Sequence, residues 1–175
     1  MIRRIIDDFL PEEDYRTLEH IVLGSEIYWK LQPHGTVGHS TSKGDWRFTH
    51  PVYHQRAHLN TQHKSDFFPV FEYLEVQSLI SCKLNCDIYT VEPEQRPWHT
   101  DQLIHAHCTF TSILYFNDCN GKTTFKDGFT VESKRNRMLI FNSEYQHAGI
   151  TQTNTPRRYL LNTNFFGDPK KWNSQ

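Results

Sequence analysis

The chain has 175 residues, the size of one compact domain. Its hydrophobic content of 37%, with twelve Phe and eight Tyr, is enough for a core and excludes global disorder. Nineteen basic and twenty acidic side chains leave a formal net charge of -1, which argues against non-specific nucleic-acid binding as the main role.

Residues 2–6 read as a short strand. Acids follow its isoleucines too closely for a signal peptide, and no apolar run is long enough to span a bilayer, so a soluble, cytoplasmic protein is expected. Pro11, Glu12 and Glu13 open a helix, since proline and acids suit a first turn. Leu18, Ile21 and Val22 give it an apolar face, and Gly24 ends it. Residues 26–31 read as a strand. Over residues 32–64 the pattern breaks down, and His34, His39, His50, His54, His58 and His63 lie among Gly, Ser and Thr. This predicts either a polar loop with one short strand near residues 46–48 or a substrate-recognition lid. A zinc site is disfavoured there, because no Cys or His pair has a regular spacing. A second helix is expected over residues 65–80, capped by Ser65 or Asp66, with Phe67, Val70, Phe71 and Leu74 as its buried stripe.

After Ser81 short alternating segments follow at residues 83–91, 108–116, 123–125, 129–132, 138–141 and 158–166. Turn residues separate them: Asn117-Asp118, Asn120-Gly121, Asp127-Gly128, Asn142-Ser143 and Thr155-Pro156. Two helices followed by a run of strands predict helices packed on an antiparallel sandwich or barrel. Cys82, Cys86, Cys108 and Cys119 fit a reducing compartment as free thiols, because no second pair answers Cys82 and Cys86 to make a metal site.

The strand section contains Trp98-His99-Thr100-Asp101. Residues two apart on an extended chain share a face, so one imidazole and one carboxylate can converge on an ion. His147 follows the apolar strand at residues 138–141 and offers a third ligand from a facing strand. Two histidines and one carboxylate with open positions is the arrangement of non-haem iron(II) oxygenases. A lone H-x-D is a weak signal. Its order is more telling: H-x-D after the first long strand, His147 near the end, then a strand beginning Arg157-Arg158-Tyr159. An arginine there could take one carboxylate of a dicarboxylic co-substrate as a bidentate fork. His105 and His107 form a competing pair without a carboxylate in register.

Over residues 83–166 the chain resembles the iron(II)/2-oxoglutarate oxygenase superfamily, most of all its prolyl 4-hydroxylase-like branch. The motifs are Asn85-Cys86-Asp87-Ile88-Tyr89 before H-x-D and the core strand at residues 111–117. Asn120-Gly121-Lys122-Thr123-Thr124-Phe125 resembles a G-G-x-T-x-F turn. Arg137-Met138-Leu139-Ile140-Phe141 precedes His147, and Arg158-Tyr159-Leu160-Leu161 resembles the co-substrate strand. The resemblance implies an α+β, mainly β fold: a double-stranded β-helix, or jelly roll, with N-terminal helices packed on one sheet. It implies one oxygenase domain over residues 1–175, with helical support and a recognition loop in residues 1–82 and a catalytic β core in residues 83–166. His99, Asp101 and His147 would bind iron(II). Arg158 would pair with the far carboxylate of 2-oxoglutarate, helped by the hydroxyls of Tyr89 and Tyr115. Arg157 is the alternative cation, but Leu160, Asn162 and Asn164 share the face of Arg158. Dioxygen is the second co-substrate, and ascorbate is a candidate accessory factor. The implied activity is hydroxylation of a substrate with release of succinate and CO2.

Peptidyl proline is one candidate substrate by analogy with the branch, which carries little weight for substrate identity. A small metabolite or a nucleobase stacked on Trp46, Phe48 and Tyr53 is another. A non-catalytic jelly-roll binding module and a zinc hydrolase on the same ligands are the remaining alternatives.

Overall fold

The structure, a computed structural model, describes residues 3–32, 47–56, 59–101 and 108–173. In chain order its elements are β1 (Arg3–Ile6), α1 (Glu12–Leu23), β2 (Lys30–Gln32), β3 (Arg47–His54), β4 (Leu59–Asn60), a 3₁₀ turn (Gln62–Phe67) leading into α2 (Phe68–Tyr73), β5 (Ser78–Ile88), β6 (Thr109–Tyr115), β7 (Cys119–Phe125), β8 (Thr130–Ser133), β9 (Arg137–Asn142), β10 (His147–Ile150), β11 (Arg157–Phe166) and α3 (Pro169–Asn173). They form a jelly roll of two antiparallel sheets. The large sheet runs β1-β9-β6-β11-β5-β3-β2, with β4 paired to β3, and the small sheet runs β10-β7-β8.

The two faces of the large sheet differ in chemistry. Its outer face carries Leu84, Cys86, Phe110, Leu114, Phe116, Met138, Ile140, Tyr159, Leu161 and Phe165. Tyr15, Leu18 and Val22 of α1 pack there, at the three- and four-residue spacing of an apolar helix stripe, as do Val70 and Phe71 of α2. A fully buried side chain of this kind contributes about 1.5–3 kcal/mol, so this layer supplies most of the stability. The inner face, towards the small sheet, is apolar only at one end, where Ile113, Tyr115, Phe125, Val131, Leu139, Phe141 and Leu160 cluster. At the other end it is polar. Every residue of β6 is buried, because helices cover one face and the small sheet the other.

Several sequence expectations need correction. Asn120 and Gly121, read as a turn, lie within β7, the strand expected over residues 83–91 starts earlier and ends at Ile88, and β10 was not foreseen. The helix expected over residues 65–80 is a 3₁₀ turn followed by the six residues of α2, and neither has a side-chain cap. Glu75, at φ 50, turns the chain, and residues 78–80 instead open β5, where Leu79 pairs with Phe165 of β11. The buried stripe of Phe67, Val70, Phe71 and Leu74 is as expected. Of the strand expected over residues 26–31 only β2 forms, where it finds a partner in residues 47–49 of β3. The expected loop over residues 32–64 contains β3, an eight-residue strand paired with β5. Its alternation is hard to see because its inner side faces a polar cleft. Among the loop histidines, His50 Nδ1 lies 3.0 Å from the Tyr28 carbonyl, and His63 Nδ1 lies 2.9 Å from Asp66. His34, His39, Trp46 and His58 lie outside the described residues, as do His105 and His107.

The four cysteines are free thiols. Burial pushes the Cys82 and Cys86 thiols up to about 12, which makes them inert packing groups. Among the described residues no helix is long and apolar enough to cross a membrane.

Candidate metal centre

The segment before H-x-D lies antiparallel to β10, with bridges at Gln95–Ile150 and His99–His147, and so adds a rudimentary fourth strand to the small sheet. His99 and His147 exchange both backbone hydrogen bonds, each 3.0 Å. Directly opposed residues of an antiparallel pair project to one side, and the two imidazole centroids are 4.3 Å apart. Asp101 follows two residues on, anchored by its backbone N–H, which donates to the Ser143 carbonyl at 3.2 Å. Its carboxylate reaches to 3.8 Å from His99 Nε2 and 3.9 Å from His147 Nε2. The ligand atoms of the three residues all lie within 4.8 Å of one another, and no other such cluster occurs among the described residues.

The outer atoms of both rings set their chemistry. His99 Nδ1 lies 3.1 Å from the Pro97 carbonyl, and His147 Nδ1 lies 3.0 Å from the Tyr145 carbonyl. A carbonyl can only accept, so each Nδ1 carries the proton and each Nε2 turns its lone pair to the cluster. Burial, aided by neighbouring His147, pushes the His99 imidazole down to about 4, so it is neutral near pH 7. Its approach to Asp101 is therefore not an ion pair but two donors facing one point. Burial alone would raise the Asp101 carboxyl, but neighbouring groups, the Lys83 ammonium and the Asn162 amide among them, outweigh it and hold the group below the usual carboxylate range. Asn162 Nδ2 donates to Asp101 Oδ2 at 3.3 Å, and Thr111 Oγ1 lies 3.0 Å from the same oxygen. Two imidazoles with their Nε2 atoms turned inward and one oriented carboxylate make the donor set of a facial iron(II) site.

A second station lies further along β11. Arg158 is 1% exposed and faces inward, whereas Arg157 is exposed and donates to the Tyr159 hydroxyl at 3.1 Å. Arg158 has only long contacts, 3.4 Å to Asp87 Oδ2 and 3.4 Å to Thr123 Oγ1, and among the described residues its buried Nε has no partner. Tyr115 is fully buried, lies 5.3 Å from the guanidinium by its ring centre, and donates its hydroxyl to Thr123 at 2.7 Å. The chain passes over Arg158 at glycines. A Cβ on Gly121 would stand 2.8 Å from Arg158 Cδ, and one on Gly149 would stand 3.9 Å from Arg158 Nη1. Gly121→Ala is therefore expected to push Arg158 aside and to cost about 1–3 kcal/mol of stability. Urea unfolding measures the effect, and unchanged stability would show that Arg158 does not need this space.

Asp87 is the counter-ion of this station. It is the cross-strand neighbour of both Arg158 and Arg47. Arg96 Nη2 donates to its Oδ1 at 3.0 Å, and Arg47 Nε lies 3.9 Å from the same oxygen. Burial would raise its carboxyl, but Arg96, Arg47 and Arg158 together hold it below the usual range.

The structure thus brings together His99, Asp101, His147, Arg158 and Tyr115. It does not bring in Tyr89. That side chain lies past the end of β5 and is 47% exposed, because the strand stops at Ile88 before the alternation can turn residue 89 inward. Sequence reasoning missed Lys83 and Asp87 as inner-face residues. The signal was available, since Lys83, Asn85 and Asp87 alternate with apolar Cys82, Leu84 and Cys86. Arg96 had no such signal and reaches the site only through the fold.

No family model matches the sequence, and no curated protein matches it. Solved structures do. The chain superposes on a 2OG-Fe(II) oxygenase family oxidoreductase from Burkholderia pseudomallei with TM-score 0.66 and 8% identity, over 93% of this chain and 84% of that one. A Trichoplax adhaerens prolyl hydroxylase in complex with a hypoxia inducible factor peptide gives TM-score 0.65 and 12% identity, over 99% and 87%. A Pseudomonas putida prolyl-4-hydroxylase gives TM-score 0.61 and 14% identity, over 95% and 93%. The fold is that of the 2-oxoglutarate/iron(II) oxygenases. Within that class the similar structures include the prolyl hydroxylase branch, as the motifs led us to expect.

Proposed function

We propose that this chain is an iron(II)- and 2-oxoglutarate-dependent oxygenase that hydroxylates its substrate. The observation that carries this reading is the pairing of a His-Asp-His cluster with a buried arginine, Arg158, whose Nε–H is unpartnered among the described residues. A zinc hydrolase needs no such second station, and a binding module needs neither.

The residue types suit the two ends of the co-substrate. His99, Asp101 and His147 would hold the metal, and Arg158 would take the far carboxylate. Leu160, between Arg158 and Asn162 on the same face of β11, would pack against the methylene carbons. Thr123, held by the Tyr115 hydroxyl, can donate beside Arg158. When bound, iron(II) with 2-oxoglutarate and dioxygen supplies oxidative decarboxylation to succinate and CO2, coupled to hydroxylation of a C–H bond. The protein keeps both imidazoles in the metal-binding tautomer, orients the carboxylate through Asn162 and Thr111, and excludes water with the apolar end of the inner face. Ascorbate would act only as an accessory reductant. The free thiols suit a reducing compartment such as the cytoplasm. Peptidyl proline is the substrate suggested by two of the similar structures.

Measuring succinate release and 2-oxoglutarate affinity of the iron-loaded protein tests this. Arg158→Ala is expected to weaken co-substrate binding by about 10- to 100-fold, as for loss of a charge-assisted bidentate pair, while Arg157→Ala stays within about twofold of wild type. Equal effects of the two substitutions would sink the assignment of Arg158.

A further inference from the structure

The inner face of β5 carries a cation that the reading above does not use. Ser81, Lys83, Asn85 and Asp87 share this face, since Ser81 receives a hydrogen bond from Asn164 and Asp87 meets Arg158, while Cys82, Leu84 and Cys86 pack into the outer core. Lys83 is opposite Asn162 of β11, the residue that donates to Asp101. Lys83 thus belongs to the metal's row. Arg158 is opposite Asp87, four residues along, roughly 13 Å at strand spacing. A co-substrate reaching from the metal to Arg158 runs away from Lys83 and leaves its ammonium unused.

Among the described residues Lys83 has no hydrogen-bond or ion-pair partner, although its side chain is partly buried. Its ammonium is held below the ordinary lysine range by burial, with Asp101 attracting it and Arg47 repelling it. Asp101, however, is the ligand that a divalent metal would occupy. In the loaded site Lys83 would then face a cation, and a desolvated charge without an opposite partner is costly. Beside it the buried Asn85 Oδ1 has no hydrogen-bond partner among the described residues, so the surroundings suit a polar ligand rather than a hydrocarbon one.

We propose that the substrate of this site carries an anionic oxygen group, a carboxylate or a phosphate, and that Lys83 holds it beside the metal. This rests on the oxygenase reading and narrows it. A neutral peptidyl proline offers Lys83 nothing, whereas an anion paired with Lys83 brings the carbon next to it up to the metal row. Lys83 is then a specificity-determining residue, and its substitution should leave the fold standing, because it breaks no hydrogen bond or ion pair among the described residues.

The test uses manganese(II)-loaded protein saturated with 2-oxoglutarate, with inorganic phosphate and acetate as probes. Paramagnetic relaxation of the phosphorus and carboxylate-carbon NMR signals reports binding near the metal. At least one probe is expected to bind saturably to wild type, about tenfold more weakly to Lys83→Gln, and close to normally to Lys83→Arg, with 2-oxoglutarate affinity the same in all three. The probe that binds tells a phosphate site from a carboxylate site. Equal probe binding by Lys83→Gln, or no binding of either probe to wild type, overturns the proposal. So does a tenfold loss of 2-oxoglutarate affinity in Lys83→Gln, which would assign the lysine to the co-substrate. Failure of wild type to bind 2-oxoglutarate at all would instead refute the oxygenase reading beneath it.

Discussion

Asp101→Ala is expected to lower succinate formation by at least about a thousandfold, which corresponds to about 4 kcal/mol of transition-state stabilisation. The substitution removes the one anionic ligand and leaves two imidazoles with too little affinity to keep iron in place. The fold should survive. The carboxylate accepts from Asn162 and lies beside Thr111, but Thr111 also lies 2.8 Å from Asn164 Oδ1 and keeps a partner. One unsatisfied amide donor costs about 1–3 kcal/mol, so the midpoint of thermal unfolding should fall by less than about 10 °C. Circular dichroism melts and an NMR succinate assay on the same samples check both halves. Succinate production near the wild-type rate in a folded, iron-supplied variant would remove Asp101 from the site.

The second large effect concerns Asp87. Asp87→Ala takes away a buried carboxylate in contact with three arginines, and breaking such a set from one side costs about 3–5 kcal/mol. Arg158 would keep only its 3.4 Å contact with Thr123 among the described residues, so co-substrate affinity should fall with stability. Asp87→Asn keeps the shape but not the charge and should lie between wild type and Asp87→Ala. The pH dependence has a definite sign. The folded carboxyl is held below its unfolded value of about 3.9, so its contribution is complete above that value and is lost as pH falls through the folded one. The stability gap between wild type and Asp87→Asn, read from urea unfolding, should therefore be full at pH 7 and shrink below about pH 4. A gap that stays constant or widens on acidification would mean that the Asp87 charge does not stabilise the fold.

The readability of the sequence varied along the chain for physical reasons. The strands of the C-terminal half were legible because one side packs on helices or on the opposing sheet and alternates cleanly, as in Met138, Ile140 against Leu139, Phe141. The convergence of His99, Asp101 and His147 was legible because residues two apart on extended backbone share a face and His147 lies opposite His99 on the neighbouring strand. Arg158 was separable from Arg157 by the face it shares with Leu160, Asn162 and Asn164. By contrast β3 was obscured: its outer Phe48, His50 and Val52 are interrupted by Arg47, Thr49 and Pro51, which face a polar cleft rather than a second core. The apolar stripe of residues 67–74 was read correctly but extended too far, since periodicity does not reveal the turn at Glu75 or the pairing that makes residues 78–80 part of β5. Tyr89 was assigned by motif alone, and the end of β5 one residue earlier takes it out of the site. The alternation of β5 puts Asp87 on the inner face, but its meeting with Arg96 depends on strands and a loop converging, which no local pattern encodes.

The central claim is that one site binds both a metal through His99, Asp101 and His147 and a dicarboxylate through Arg158. The most direct measurement is an anaerobic visible-absorption titration of metal-free protein with iron(II) and then 2-oxoglutarate. A charge-transfer band that appears only after both additions, and that needs a higher 2-oxoglutarate concentration in Arg158→Ala, is the predicted result. A folded wild-type protein that binds iron(II) yet shows no band at any 2-oxoglutarate concentration would contradict it.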